Sequence, residues 1–73
     1  MRMYPNPASD YVYLTGVTKG TEIRIVSLDG STCLTTMSEN DDLVAIDIRS
    51  LSEGTYLIII NHTSKVLQVN PAN

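Results

Sequence analysis

The sequence lacks several residue types on which catalytic and nucleic-acid-binding domains commonly depend. It has no Phe and no Trp, one Cys, one His, and five Lys and Arg against eight Asp and Glu in 73 residues. One Cys can form neither an internal disulfide nor a cysteine-based zinc site. The net charge of −3 argues against nucleic-acid binding, which uses a basic patch. Tyrosine therefore has to supply all the aromatic area.

Long apolar runs are also missing. The longest is Tyr56–Ile60, far below the roughly 20 residues that span a bilayer, and the first residues do not form a signal peptide. The length indicates one domain. Such a chain is a soluble cytoplasmic protein or a piece of a longer one. Because structured-looking sequence begins at Tyr4, we expect the second, with residues 4–73 as the domain and residues 1–3 as the end of a linker or as vector-derived residues.

The residues that are present favour strands. Six Val, seven Ile and eight Thr are β-branched, and apolar and polar residues alternate more clearly than they follow a helical period. Turn-forming residues separate six predicted strands, at 11–14, 22–28, 31–37, 43–48, 55–61 and 65–69. Six short strands at regular spacing indicate an all-β fold, an antiparallel β-sandwich.

Two details of the predicted strands bear on their geometry. The alternation slips at Val26 and Leu28, which predicts a bulge or a strand covered on both faces. Asp29 and Gly30 are typical of a hairpin turn because both residue types tolerate positive φ.

Cys33 lies within a predicted strand, so we expect a buried small apolar side chain rather than a nucleophile.

Three segments, each with its own motif, together form a recognisable pattern. Tyr4–Asp10 contains Pro-Asn-Pro before a strand, Ile23–Gly30 ends in Leu-Asp-Gly, and Ile46–Tyr56 ends in Leu-x-x-Gly-x-Tyr before the most apolar strand. In this order and at this spacing, they resemble the C-terminal sorting domain of cargo proteins of the bacterial type IX secretion system. The resemblance covers about residues 4 to 69.

The resemblance implies an immunoglobulin-like β-sandwich of six to seven strands, without catalysis or cofactors, at the C-terminus of a cargo protein. It implies that the cargo passes through the periplasm and an outer-membrane translocon. A sortase-like surface peptidase then removes the domain, and the cargo is secreted or held at the cell surface, often on an anionic lipopolysaccharide. Partners would be this machinery and the N-terminal cargo domain in cis, with a homodimer possible. One departure is the tail at residues 68–73, which lacks the family's usual basic residues.

The motif residues also have physical roles of their own. Pro5 and Pro7 fix φ near −65° and favour extended residues before them. The segment from Tyr4 to Pro7, which also contains Asn6, is therefore predicted to be a stiff, extended connection. It is either only a rigid turn or a direct contact with a secretion component.

The later motifs predict a corner of the sandwich. We expect positive φ at Gly54 and a buried Tyr56 whose hydroxyl bonds to nearby backbone. Leu51 should plug the edge of the core. Gly30, in the predicted hairpin, and Lys65, the base nearest to the C-terminus, complete the recognition candidates.

The most apolar strand has two apolar faces. If Tyr56 faces the core, Leu57 and Ile59 face outward, where they lie under another element or form an exposed partner face. The same argument applies with less weight to Val26, Tyr11 and Tyr13.

Residues whose side chains could take part in catalysis or metal binding do not form a recognisable site. His62 lies in a predicted turn, and Glu39, Asp41 and Asp42 lack the ligand spacing of an EF-hand loop, so a solvated loop is expected. We therefore predict a non-catalytic secretion signal without a cofactor or metal. The alternative is an immunoglobulin-like adhesion or accessory binding module that stays on its parent protein.

Overall fold

Seven strands make up the fold of the described residues. The computed structural model describes residues 1–71. All six predicted strands are present, with ends shifted by at most two residues, and a further strand precedes them. Residues 1–71 contain no helix, and hence none that could cross a membrane. The strands are β1 Arg2–Tyr4, β2 Tyr11–Thr15, β3 Glu22–Ser27, β4 Thr32–Met37, β5 Leu43–Asp47, β6 Gly54–Ile60 and β7 Thr63–Val69.

The strands pair into two antiparallel sheets. The three-stranded sheet has the order β1-β2-β5, and the four-stranded sheet has the order β4-β3-β6-β7. Each sheet places alternate apolar side chains on one face, and the two apolar faces form a single core. The predicted all-β sandwich is confirmed.

The core consists almost entirely of aliphatic side chains. Leu14 pairs with Val44 in the three-stranded sheet, and Ile25 pairs with Ile58 in the other. Tyr56 is the one buried aromatic residue within 1–71, at 8% exposure. The buried apolar residues are Ala8, Val12, Leu14, Val17, Ile23, Ile25, Val26, Val44, Ile46, Ile48, Tyr56, Ile58, Ile60, Leu67 and Val69.

Strand β1 is the element that the alternation did not identify. Met3 pairs with Leu14 and packs against the core, while Arg2 pairs with Thr15 and Tyr4 with Tyr13. Three residues are too few to show a period, so only the pairing with β2 defines the strand. Residues 2–4 are thus part of the sandwich rather than a linker that precedes it.

The predicted irregularity in β3 is confirmed as a bulge. Ile25 pairs with Leu34, whereas Val26 pairs with Thr32, so Cys33 is the extra residue and lies on β4. The prediction that Cys33 is buried is wrong, because β4 is an edge strand and its bulged residue leaves the alternation. The thiol is exposed.

The two hairpins of the four-stranded sheet differ in length. The Asp29-Gly30 turn is confirmed: Gly30 has a φ of 93°, and its N–H donates to the Ser27 carbonyl at 3.0 Å. The second hairpin turns on Asn61, with a φ of 56°, and His62. Because this turn has only two residues, β7 begins at Thr63, two residues earlier than predicted.

The aliphatic core predicts a large difference between two Leu→Ala changes. Leu14 is fully buried, whereas Leu28 is 68% exposed. We expect Leu14→Ala to lower the free energy of unfolding by about 2–5 kcal/mol because it leaves a cavity. Leu28→Ala should change it by no more than about 0.5 kcal/mol. Urea unfolding followed by circular dichroism measures both. Equal losses would contradict the assigned core.

Candidate functional site

The Pro-Asn-Pro motif crosses from one sheet to the other. β1 ends at Tyr4 in the three-stranded sheet, residues 5–7 bend, and Ala8 forms a parallel bridge with Val69 of β7. The peptide bonds before Pro5 and Pro7 are both cis. We call residues 5–8 the crossover segment. It is a bend between the sheets rather than the extended connection that the two prolines predicted.

Asn6 acts as a substitute strand at the edge of β7. Its side-chain amide donates to the Val66 carbonyl at 3.0 Å, and its side-chain oxygen accepts from the Gln68 N–H at 3.0 Å. One side chain therefore satisfies a donor and an acceptor that an edge strand would otherwise leave to solvent. An amide is suited to this task because it carries both functions.

Ala8 continues the cover along the same edge. Its N–H donates to the Gln68 carbonyl at 2.9 Å, and its carbonyl accepts from the Asn70 N–H at 2.8 Å. The side chain of Ala8 is 2% exposed and belongs to the core. The crossover segment thus closes the outer edge of β7 from Val66 to Asn70.

The Leu-x-x-Gly-x-Tyr motif reaches β7 from the other side. Gly54 pairs with Val69, the same residue that bridges to Ala8. The hydroxyl of Thr55 lies 2.7 Å from the side-chain oxygen of Gln68. We call this meeting point of the first motif, the last strand and the third motif the motif junction, and define it as Asn6, Ala8, Gly54, Gln68 and Val69.

The corner residues behave as the sequence predicts. Gly54 has a positive φ of 157°. The Tyr56 hydroxyl donates to the Ser52 carbonyl at 2.6 Å, and the ring is buried. Leu51 is half-buried and packs against the core. This hydrogen bond fixes the connection between β5 and β6, from which the chain enters the motif junction.

Gly30 lies apart from the motif junction. The hairpin that contains it is stabilised by Asp29, whose carboxylate accepts from the Ser27 hydroxyl and, at 3.0 Å, from the Ser31 N–H. These hydrogen bonds, that of Ser27 first, lower the pKa of Asp29 below its usual value. Gly30 therefore has a structural role in this turn.

Lys65 also lies apart from the motif junction, although it is on β7. It borders a cavity of about 340 Å³ between the two sheets, together with Met1, Thr18, Thr21 and Thr63. Lys65 thus lies at the end of the sandwich where β1 begins. Residues 72 and 73, the end of the non-basic tail, lie outside the described residues.

The outer side of the four-stranded sheet carries an apolar row. Val26 pairs with Leu57, and Leu57 with Val66, while Ile59 lies two residues farther along β6. Leu57 and Ile59 are half-buried, Val26 is 7% exposed and Val66 is 57% exposed. We call these four residues the outer apolar face. Its central members are shielded by their neighbours, and its β7 end is open.

The outer side of the three-stranded sheet carries an aromatic row. The rings of Tyr4 and Tyr13 stack with centroids 5.6 Å apart, and those of Tyr13 and Tyr11 are 6.5 Å apart. The guanidinium of Arg49 lies 5.4 Å from the centre of the Tyr11 ring. Alternation with buried Val12 predicts Tyr11 and Tyr13 on this side, but Tyr4 was missed because β1 was missed.

An ion pair ends the aromatic row. Arg49 donates to both carboxylate oxygens of Asp47, from Nε at 3.0 Å and from Nη2 at 2.7 Å, and its backbone N–H adds a third hydrogen bond. The side-chain hydrogen bonds of Arg49 lower the pKa of Asp47 from 3.8 to about 2, and Asp47 raises the pKa of Arg49. The pair holds Arg49 over Tyr11.

The residues whose side chains could take part in catalysis or metal binding do not lie together in one site. His62 is exposed in its turn, as predicted, and Cys33 is exposed on β4. In the acidic loop, Asp41 accepts from the Lys19 N–H at 2.9 Å. Within residues 1–71, no three His, Cys, Asp or Glu side chains lie close enough together to hold a metal ion.

The chain matches a known protein family over nearly its whole length. A family model described as a secretion system C-terminal sorting domain matches residues 2–70, a range that contains all seven strands and all three motifs. The chain belongs to this family. The sorting domain is a type IX secretion signal. No curated protein and no solved structure matches the chain significantly.

Family membership also defines what the sorting domain works with. It interacts with the type IX secretion machinery and is preceded in its chain by a cargo region. That cargo is exported across the outer membrane to the cell surface or secreted. The family is not known as catalytic.

Loss of the Asn6 hydrogen bonds should weaken the sorting domain measurably. We expect Asn6→Ala to lower the free energy of unfolding by about 1–3 kcal/mol, because two hydrogen bonds of about 0.5–1.5 kcal/mol each are lost. Asn40→Ala is the matched control, since this exposed side chain makes no hydrogen bond within residues 1–71. Urea unfolding measures both variants, and equal stability of the two would contradict the role of Asn6.

The Asp47–Arg49 pair predicts a specific pH dependence. The pKa of folded Asp47 is about 2, below its ordinary value of 3.8. The carboxylate therefore contributes stability that is present above pH 3.8 and is lost as the pH falls toward 2. The stability difference between the parent domain and Asp47→Asn should shrink over this range. Glu53→Gln, at an exposed carboxylate outside the pair, is the control. A difference that stays constant between pH 5 and 2 would rule out this contribution.

Proposed function

We propose that the sorting domain is a non-catalytic address, read as a folded unit in the periplasm, carried through an outer-membrane translocon and then removed by a surface peptidase. The observation that carries the proposal is the family match over residues 2–70. It covers the complete sandwich rather than a short terminal segment. On this proposal, recognition depends on the fold.

The use of the motif residues supports recognition of the folded state. Asn6, Gly54 and Tyr56 are engaged inside the domain through the contacts at the motif junction and the corner. A linear signal would leave such side chains free for its receptor. Pro5 and Pro7 are exposed beside Asn6, so the crossover segment retains surface that a secretion component can touch.

The outer apolar face is the second surface that we propose for contact. Val66 is 57% exposed at its open end, next to half-buried Leu57 and Ile59. An apolar row on an acidic domain suits a partner with an apolar contact surface. The competing use is a homodimer. Light scattering on the isolated domain distinguishes the two uses, because the Leu57→Thr, Ile59→Thr double variant lowers the measured mass only if this face mediates self-association.

The export role is tested by fusion of residues 1–73 to the C-terminus of a periplasmic reporter in a type IX-competent strain. We expect the reporter at the cell surface or in the medium and without the sorting domain, as measured by its mass. The same fusion in a strain that lacks the translocon should remain periplasmic. A reporter that stays in the periplasm of the competent strain would contradict the proposed address.

A matched pair of variants tests whether the folded state is read. Leu14→Asp places a charge in the core and should unfold the domain, whereas Leu28→Asp changes an exposed position. We expect export to be lost with the first and kept with the second. Full export of the unfolded variant would show that a linear signal is sufficient.

A further inference from the structure

The two sheets expose their edges unequally. The edge strands are β1 and β5 in one sheet and β4 and β7 in the other. The crossover segment covers β7 through Asn6 and Ala8. β4 has no such cover within residues 1–71: its strand partner is β3 alone. The domain therefore closes the second half of one edge of the four-stranded sheet, from Val66 onward, and leaves the β4 edge open.

The open edge lacks the usual features that prevent strand addition. Thr32–Met37 contains no charged residue and no proline, and such residues are what natural edge strands use to block pairing. The bulge at Cys33 is confined to the first two residues of the strand. Leu34 to Met37 pair without interruption with β3. In this regular stretch, every second residue directs its backbone N–H and C=O away from β3, toward solvent.

A groove beside β4 offers room for apolar side chains. It has a volume of about 320 Å³ and runs between β4 and β5, with Met37, Leu43, Val44 and Ala45 in its lining. Met37 is 57% and Leu43 is 48% exposed. A strand added to β4 would place alternate side chains toward this groove.

The charges around β4 disfavour a second copy of the domain. Glu22 lies opposite Met37 at one end of the strand, and Glu39 lines the groove at that end. Asp29 lies in the hairpin at the other end. Two copies paired antiparallel along β4 would bring Asp29 of each toward Glu39 of the other, which places like charges together. Arg24, opposite Thr35 in mid-strand, is the one base on β3 and β4, and Lys19 lies near the Glu39 end, where its N–H donates to Asp41.

We propose that the edge of β4 accepts an extended segment of a partner protein as a fifth strand. Main-chain hydrogen bonds would provide the affinity, and the groove would select apolar side chains at alternate positions. The acidic groups at both ends of β4 select basic residues at both ends of the segment. Strand addition at β4 does not depend on the proposed export role.

The test uses the isotope-labelled domain and a defined probe, the peptide acetyl-Lys-Val-Thr-Val-Thr-Val-Lys-amide. We expect amide resonances of residues 32–37 to shift on titration, and hydrogen exchange of these amides to slow. The matched peptide with Glu at both ends should bind about tenfold more weakly at low salt, because several exposed charge pairs change from attractive to repulsive. The Glu22→Gln, Glu39→Gln double variant should weaken binding of the Lys peptide, whereas Glu53→Gln should not.

Three results would overturn the proposal. The first is no binding of the Lys peptide at millimolar concentration, and the second is a shift pattern centred on β7 or on the outer apolar face. The third is a homodimer with protected β4 amides in the absence of peptide, which assigns the edge to a second copy. Because none of these measurements involves export, they leave the reporter result unaffected.

Discussion

The hydrogen bonds from Asn6 to the edge of β7 connect the first part of the chain to the last. Together with the backbone hydrogen bonds of Ala8, they tie the segment after β1 to the other sheet and satisfy outer backbone groups of β7 that would otherwise be unpaired. A small domain with an aliphatic core has little burial to spare, so a contact between residues 62 positions apart has a large influence on the whole. The motif junction forms around this contact.

The same junction explains how a family signal can be a three-dimensional object. The first and third motifs lie at opposite ends of the sequence pattern, yet Ala8 and Gly54 both contact Val69. Their residues position β7, the strand that completes the sheet. The proposed recognition of the fold by the export machinery agrees with a tail that lacks the usual basic residues.

The outer faces of the two sheets differ from each other, and so do the two edges of the four-stranded sheet. One edge is closed by the crossover segment, and the other is an uncharged strand beside an apolar groove. The outer faces carry the apolar row and the stacked tyrosines with Arg49. Such asymmetry gives the domain several distinct surfaces. The structure departs from the sequence-based predictions at edge strands, since Tyr4 lies on β1 and Cys33 lies on β4.

Alternation, turn-forming residues and the corner motif by themselves determined six of the seven strands found in residues 1–71, the sandwich class, the Asp29-Gly30 hairpin and the buried Tyr56, because each depends on neighbours within a few residues. The motifs likewise pointed to the sorting-domain family. Tertiary structure alone decided that Arg2–Tyr4 is a strand, that Cys33 is exposed and that Asn6 reaches β7. Those features depend on pairing with distant segments. A period of two cannot reveal a three-residue strand, a bulged edge or a side chain that takes the place of a backbone.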